Sequence, residues 1–172
     1  MNAFIIERLA DQLKKILTGS TLIEAFSTSS EDIYLVFDAL ALKVSFFQGQ
    51  AYFQTPDVLK LQKKNRLNAF GTLKGKRVVS VQSFPFDRIF KIKFKKGESL
   101  TFHLFGRFSQ ITHYKNGEWA DTFPVKNTKR EVEPEYKLEL GTMQASDLKF
   151  LSKDQISDLL NNGFEDKKTE DK

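Results

Sequence analysis

Apolar residues in the first seventeen positions recur at helical spacing. Ile5, Leu9, Leu13, Ile16 and Leu17 fall on one face, and Thr18-Gly19 supplies a stop signal. The pattern then changes to short alternating runs, which predict strands at 21–26, 33–37, 42–47 and 51–54. Thr55-Pro56-Asp57 reads as a helix entry, with Thr55 as cap and Pro56 in the first turn, and predicts a weakly amphipathic helix from 58 to about 70. A second strand set follows at 77–84, 88–94, 99–105 and 110–114, with 118–123 closing it.

The two strand sets resemble each other. At an offset of 56 positions Gly19 falls on Gly75, Leu22 on Val78, Ile23 on Val79, Ile33 on Ile89 and Glu31-Asp32 on Asp87-Arg88, while Gly49 and Gly106 lie one position out of that register. Either the chain contains an internal repeat, or alternating strands have simply aligned. A true repeat predicts an α+β fold: a two-layer β-sandwich of two antiparallel four-stranded meanders, with an N-terminal helix, a connecting helix and a C-terminal helix. The main domain is expected over residues 1–123. Residues 124–164 are expected to be loop followed by a helix, opened by the Ser152-Lys153-Asp154-Gln155 capping box with Leu151 stapled onto Ile156. The apolar-free stretch 165–172 is expected to be disordered.

Composition narrows this picture. With 40% hydrophobic and 28% charged residues the chain is an ordinary globular one, but its 17 phenylalanines point to an aromatic core between packed sheets. The absence of cysteine excludes disulfides, thiol nucleophiles and cysteine-based zinc sites. Neither a metal site nor a cofactor is expected. Glu7, Arg8 and Asp11 interrupt the first apolar run, so a secretory signal is not expected, no stretch is long enough to span a membrane, and a cytoplasmic location follows. Charge is unevenly spread: residues 60–96 hold twelve Lys or Arg against one acid, Asp87, a net +11 in a chain of net +5. A polyanion would be drawn to the middle of the chain, with RNA the natural candidate.

Candidate binding residues lie in that middle. Asp87 and Arg88 precede a strand in which Phe90, Ile92 and Phe94 alternate with Lys91, Lys93 and Lys95. Alternation places the three lysines on a solvent face, spaced about 6–7 Å apart, close to the repeat of a phosphate backbone. The same ladder is equally read as an aggregation guard. Lys60, Lys63, Lys64 and Arg66 form a second basic cluster, and Lys74, Lys76 and Arg77 a third. Gly106-Arg107-Phe108-Ser109-Gln110 reads as a sharp turn, with Ser109 satisfying turn backbone and Arg107 presented at its lip. His103 and His113 read as ordinary strand residues, and Trp119 as a packing residue.

The Asp87-Arg88 doublet and the Gly106-Arg107-Phe108-Ser109 turn, in this order and spacing after a helix-then-glycine entry, resemble the N-terminal domain of the NFACT family of ribosome-quality-control factors. Bacterial members have long been called fibronectin-binding proteins, and the domain resembles in fold the N-terminal domain of formamidopyrimidine-type DNA glycosylases. The resemblance spans residues 9–123. It implies a non-catalytic RNA-binding domain that helps recruit tRNA on the obstructed large ribosomal subunit, with Arg88 on phosphate or a base edge and Asp87 positioning it. Gln110 stands where the family carries Asn. The chain is then either an N-terminal piece of a longer factor, with domains beyond Lys172, or a reduced homologue. The older name implies an alternative, a fibronectin-binding adhesin module. A second alternative is a glycosylase-related nucleic-acid-binding protein without lyase activity, since Met1-Asn2-Ala3 offers no N-terminal proline nucleophile.

Overall fold

The computed structural model describes residues 2–57 and 65–124, all within one compact unit, Met1–Glu135. The expected loop and C-terminal helix, the tail, and most of the expected connecting helix lie outside the described residues. Where that connecting helix should end, the chain instead forms a two-residue strand.

Helix α1 (Ala3–Leu17) starts on Asn2, whose side chain accepts from the Ile5 amide at 2.9 Å. It ends as expected at Thr18, with Gly19 at φ +89°. Its buried stripe is Ile6, Ala10, Leu13 and Leu17; Leu13 and Leu17 are where the predicted face placed them, while Ile5 and Ile16 are exposed. The first sheet comprises β1 (Leu22–Ser27), β2 (Asp32–Phe37), β3 (Ala41–Phe47), β4 (Gln50–Gln54) and β5 (Leu67–Asn68), in the order β4-β3-β2-β1-β5. The second comprises β6 (Val78–Ser83), β7 (Ile89–Phe94), β8 (Glu98–His103), β9 (Gln110–Lys115) and β10 (Glu118–Phe123), an antiparallel meander in the order β10-β9-β8-β7-β6. Both sheets therefore carry five strands rather than four. Residues 67–68 extend the first by pairing with β1, and 118–123 close the second.

The sheets are mostly apolar on their facing sides, where Ile33, Leu35, Leu42 and Val44 join Phe90, Ile92, Leu100 and Phe102 in one core. Phenylalanines supply much of the contact. Phe90 stacks on Phe102 with centroids 4.1 Å apart, Phe53 reaches both rings from β4, and Phe46 meets Phe123 at 6.1 Å. Helix α1 packs against β6 and β7.

The internal repeat is visible in the backbone. Thr21 bridges to Arg77, its own counterpart at the offset of 56. Around that bridge the hydrogen bonds come in equivalent pairs. Gly19 N donates to Val78 O (3.0 Å) and Gly75 N to Leu22 O (2.7 Å); Val78 N donates to Ser20 O (2.8 Å) and Leu22 N to Lys76 O (2.9 Å). The two halves thus meet about a local two-fold axis. Both have a β-bulge at the same place, between Leu22 and Glu24 and between Val78 and Ser80. Along β1 and β6 the offset stays at 56 on both sides of the bulge, but on β2 and β7 it is 57: Leu22 pairs with Phe37, and Val78 with Phe94. Ile33 therefore corresponds to Phe90, not to Ile89. The extra residue lies in the turn between β6 and β7, closed by Phe84 N to Ile89 O, where the first half has the shorter turn closed by Thr28 N to Asp32 O.

Two polar groups, Glu98 and His113, intrude on the core side. Glu98 opens β8 with the same parity as Leu100 and Phe102 and is only 3% exposed. It pairs with Lys76, and His113 Nε2 lies 3.1 Å from its second oxygen. Burial pushes the Glu98 carboxyl up, but hydrogen bonds from Lys76 and His113 outweigh it and hold the group below its ordinary 4.5. Burial depresses His113 below 6.5 despite Glu98. His113 is thus held neutral. As pH falls below 6.5, and then below 4.5, the unfolded chain takes up protons first, so the fold loses stability in both windows. In His113→Gln the loss as pH falls below 6.5 should be smaller than in the parent, measured by urea unfolding. An equal loss would place the proton uptake elsewhere. Glu98→Ala leaves the Lys76 charge and the His113 ring without their partner and should cost about 3 kcal/mol at neutral pH by the same assay.

Candidate functional site

Three turns converge at one end of the sandwich, and two of them carry the predicted motifs. The β6–β7 turn holds Phe86, Asp87 and Arg88; the pair lies in the turn itself rather than on the strand. Asp87 N donates to Phe84 O (3.1 Å), the Asp87 carboxylate accepts from Arg88 N (2.7 Å), and Phe86 takes φ +62°. Arg88 O accepts from Leu104 N (2.9 Å), which fixes this turn beside the start of the β8–β9 turn. There Gly106–Phe108 form a single 3₁₀ turn, closed by Ser109 N and Ser109 Oγ on Gly106 O. Ser109 thereby does what the turn reading expects.

The third turn comes from the other sheet. Gln48 and Gly49 join β3 to β4, both at positive φ (+48° and +75°), the two-residue hairpin geometry that follows strand twist. A Cβ on Gly49 would lie 3.0 Å from Arg107 N and 3.2 Å from Gly106 C. Gly49 and Gly106 are the glycine pair found one step out of register in the sequence. Their turns are equivalent in the two halves and touch across the interface between the sheets.

The side chains at this tip are of two kinds. Arg88 is exposed, with its guanidinium 5.4 Å from the Phe105 ring centroid, and Arg107 is exposed, 4.8 Å from that of Phe108. Phe86, Phe108 and Phe47 are all about half exposed (50%, 46% and 51%). Phe47 sits at the foot of the Gln48-Gly49 hairpin. Exposed phenylalanines beside arginine guanidiniums form a surface suited to stacking, cation–π and charge-assisted contacts.

The other predicted residues do not gather here. Lys91 is buried rather than on a solvent face: it lies between Gln82 and Thr101, with its ammonium 5.7 Å from the Phe84 ring centroid. Lys93 is exposed, and Lys95 follows the last residue of β7, about 20 Å along the chain from Arg88 at the opposite end of the sheet. Arg66 is turned into the protein, 2.9 Å from Glu24 and 4.1 Å over the Phe26 ring. Lys60, Lys63 and Lys64 lie outside the described residues. Among the described residues no three side chains are placed to hold a metal ion, and no helix is long and apolar enough to cross a membrane. Sequence reasoning missed the exposed Phe86 and Phe47, and the Lys76–Glu98–His113 cluster. Strand parity, which puts Glu98 with Leu100 and Phe102, was the available signal for the cluster.

No protein-family model matches the chain, and no curated protein matches it at a significant level. Solved structures do resemble it. The fibrinogen binding protein from Staphylococcus aureus superposes with a TM-score of 0.57 at 16% identity, covering 83% of this chain and 57% of that one. The N-terminal domain of fibronectin-binding protein PavA from Streptococcus pneumoniae gives 0.59 at 15% identity over 86% of this chain and 66% of that one. The N-terminal part of the fibronectin/fibrinogen-binding protein from Streptococcus suis gives 0.61 at 14% identity over 93% and 68%. The chain thus spans roughly two thirds or less of these proteins' solved lengths and shares their fold over that part.

Gly49→Ala tests the contact between the turns. The positive φ alone should cost about 1–2 kcal/mol in urea unfolding, and the approach to Arg107 should add to it. Gly71→Ala, where a Cβ meets nothing within 4 Å and no positive φ is required, should change stability by less than about 0.5 kcal/mol.

Proposed function

We propose that this domain is a non-catalytic binding module that recognises a protein partner through the three-turn tip. The observation that carries this is the exposed set Phe47, Phe86 and Phe108 with Arg88 and Arg107, since aromatic and arginine side chains are the types that dominate binding energy at protein interfaces. The fold neighbours named for binding fibronectin or fibrinogen support the choice of an extracellular-matrix protein as partner, and with it a cell-surface setting. Immobilised fibronectin and fibrinogen should each capture the domain. Phe108→Ala and Arg88→Ala should each weaken that capture by at least about tenfold. Stability should stay within about 1 kcal/mol of the parent, because these side chains are exposed. Failure to bind either protein would remove this reading.

A second reading rests on the same tip and on the +11 charge of residues 60–96. Arginines beside exposed rings also suit phosphates and unstacked bases, and the ligand would then be RNA. In its finer form this is a cytoplasmic tRNA-binding domain acting on the obstructed large ribosomal subunit. If two arginine–phosphate contacts carry it, affinity for a labelled tRNA should fall about tenfold between 50 and 200 mM salt, and Arg88→Ala should flatten that dependence. An Arg88→Ala variant that binds tRNA as well as the parent at matched salt would exclude this site. Binding to tRNA without binding to matrix protein would favour this reading over the first.

A further inference from the structure

Four strands form the edges of the two sheets, and three of them are guarded. β6 is bridged through Arg77 to Thr21 and covered by α1. β10 carries Glu118 and Asp121, and β5 is only two residues long. β4 reads Gln50-Ala51-Tyr52-Phe53-Gln54, with no charge, no proline and no bulge against β3. An uncharged regular edge is a template for another strand, and proteins that remain single copies usually blunt it.

The hairpin fixes which backbone groups of β4 are open. A two-residue turn at Gln48-Gly49 makes Phe47 and Gln50 a hydrogen-bonded pair. Gln50, Tyr52 and Gln54 therefore direct their N–H and C=O toward β3, and Ala51 and Phe53 direct theirs outward. Among the described residues nothing pairs with these four outward groups. The side chains alternate in the usual way. Ala51 and Phe53 face the core, Phe53 only partly buried beside Phe90 and Phe102, while Tyr52 lies on the outer surface, 47% exposed.

We propose that β4 pairs with β4 of a second copy of this chain, antiparallel and centred on Tyr52. In that register Ala51 of one copy faces Phe53 of the other. The two residues exchange both hydrogen bonds, twice over by symmetry, so all four outward groups are satisfied. The small Ala51 side chain makes room for the facing Phe53 ring. Gln50 faces Gln54, and the two Tyr52 side chains form the close, non-hydrogen-bonded pair at the axis. The strand is self-complementary about its middle residue, which is what an isologous two-fold contact requires and what an unrelated peptide would not need. The two first sheets then become one continuous ten-stranded sheet.

Sedimentation velocity over a concentration series tests this on the full chain. The parent should shift from monomer to dimer as concentration rises. Tyr52→Lys and Tyr52→Glu place like charges opposite each other at the axis, and each should raise the dimer dissociation constant at least tenfold. An equimolar mixture of the two should recover the dimer, because the facing charges are then opposite; that recovery also shows that both variants fold. A parent that stays monomeric up to about 1 mM would overturn the proposal. So would a Tyr52→Lys variant that dimerises like the parent, or a mixture that fails to recover.

Discussion

The arrangement of this molecule hangs on one backbone joint. Four hydrogen bonds, from Gly19 and Leu22 in one half and from Gly75 and Val78 in the other, tie the beginnings of β1 and β6 together about a local two-fold axis. Two of the donors are glycines at positive φ, which lets the chain leave helix α1 on one side and a 3₁₀ turn at Gly71–Leu73 on the other and cross over directly. Once the joint is made, the two meanders face each other and the aromatic core fills between them. Their third hairpins are then brought together at Gly49 and Gly106. The tip is a product of that arrangement and exists in neither half alone.

Where the two halves differ is also informative. The second carries one extra residue in the turn between its first two strands, and the exposed Phe86-Asp87-Arg88 stretch lies there. A repeat supplies the scaffold, and the departure from it places an exposed aromatic and an arginine in one turn. Charge follows a different logic. The central third is strongly basic by count, but Arg66 is engaged with Glu24 and Phe26, Lys76 with Glu98, Lys91 is buried, and Lys95 sits at the far end of β7. Arg88 and Arg107, each set against a phenylalanine ring, remain at the tip.

Much of this was legible in the chain itself. Strand alternation located nine of the ten strands to within one or two residues, because each is long enough to show a period; the two residues of β5 are too few. The offset of 56 pointed to the repeat, and the displaced glycine pair pointed to a one-residue insertion. Its position in the β6–β7 turn depends on pairing register, which composition does not encode. Lys91 was misread because parity assigns a face but not whether that face is covered. In the N-terminal helix Leu13 and Leu17 were placed correctly, but Ile5 and Ile16 were not, because each adjoins another apolar residue, Ile6 or Leu17, and only packing against β6 decides within such pairs.

Amide hydrogen exchange followed by NMR tests the joint most directly. If the two halves form one cooperative unit, the amides of Gly19, Leu22, Gly75 and Val78 should exchange only through global unfolding, with the same opening free energy as the central amides of β2 and β8. Opening of these four at a markedly lower free energy, while both sheets stay protected, would mean that the halves separate independently and would contradict the account.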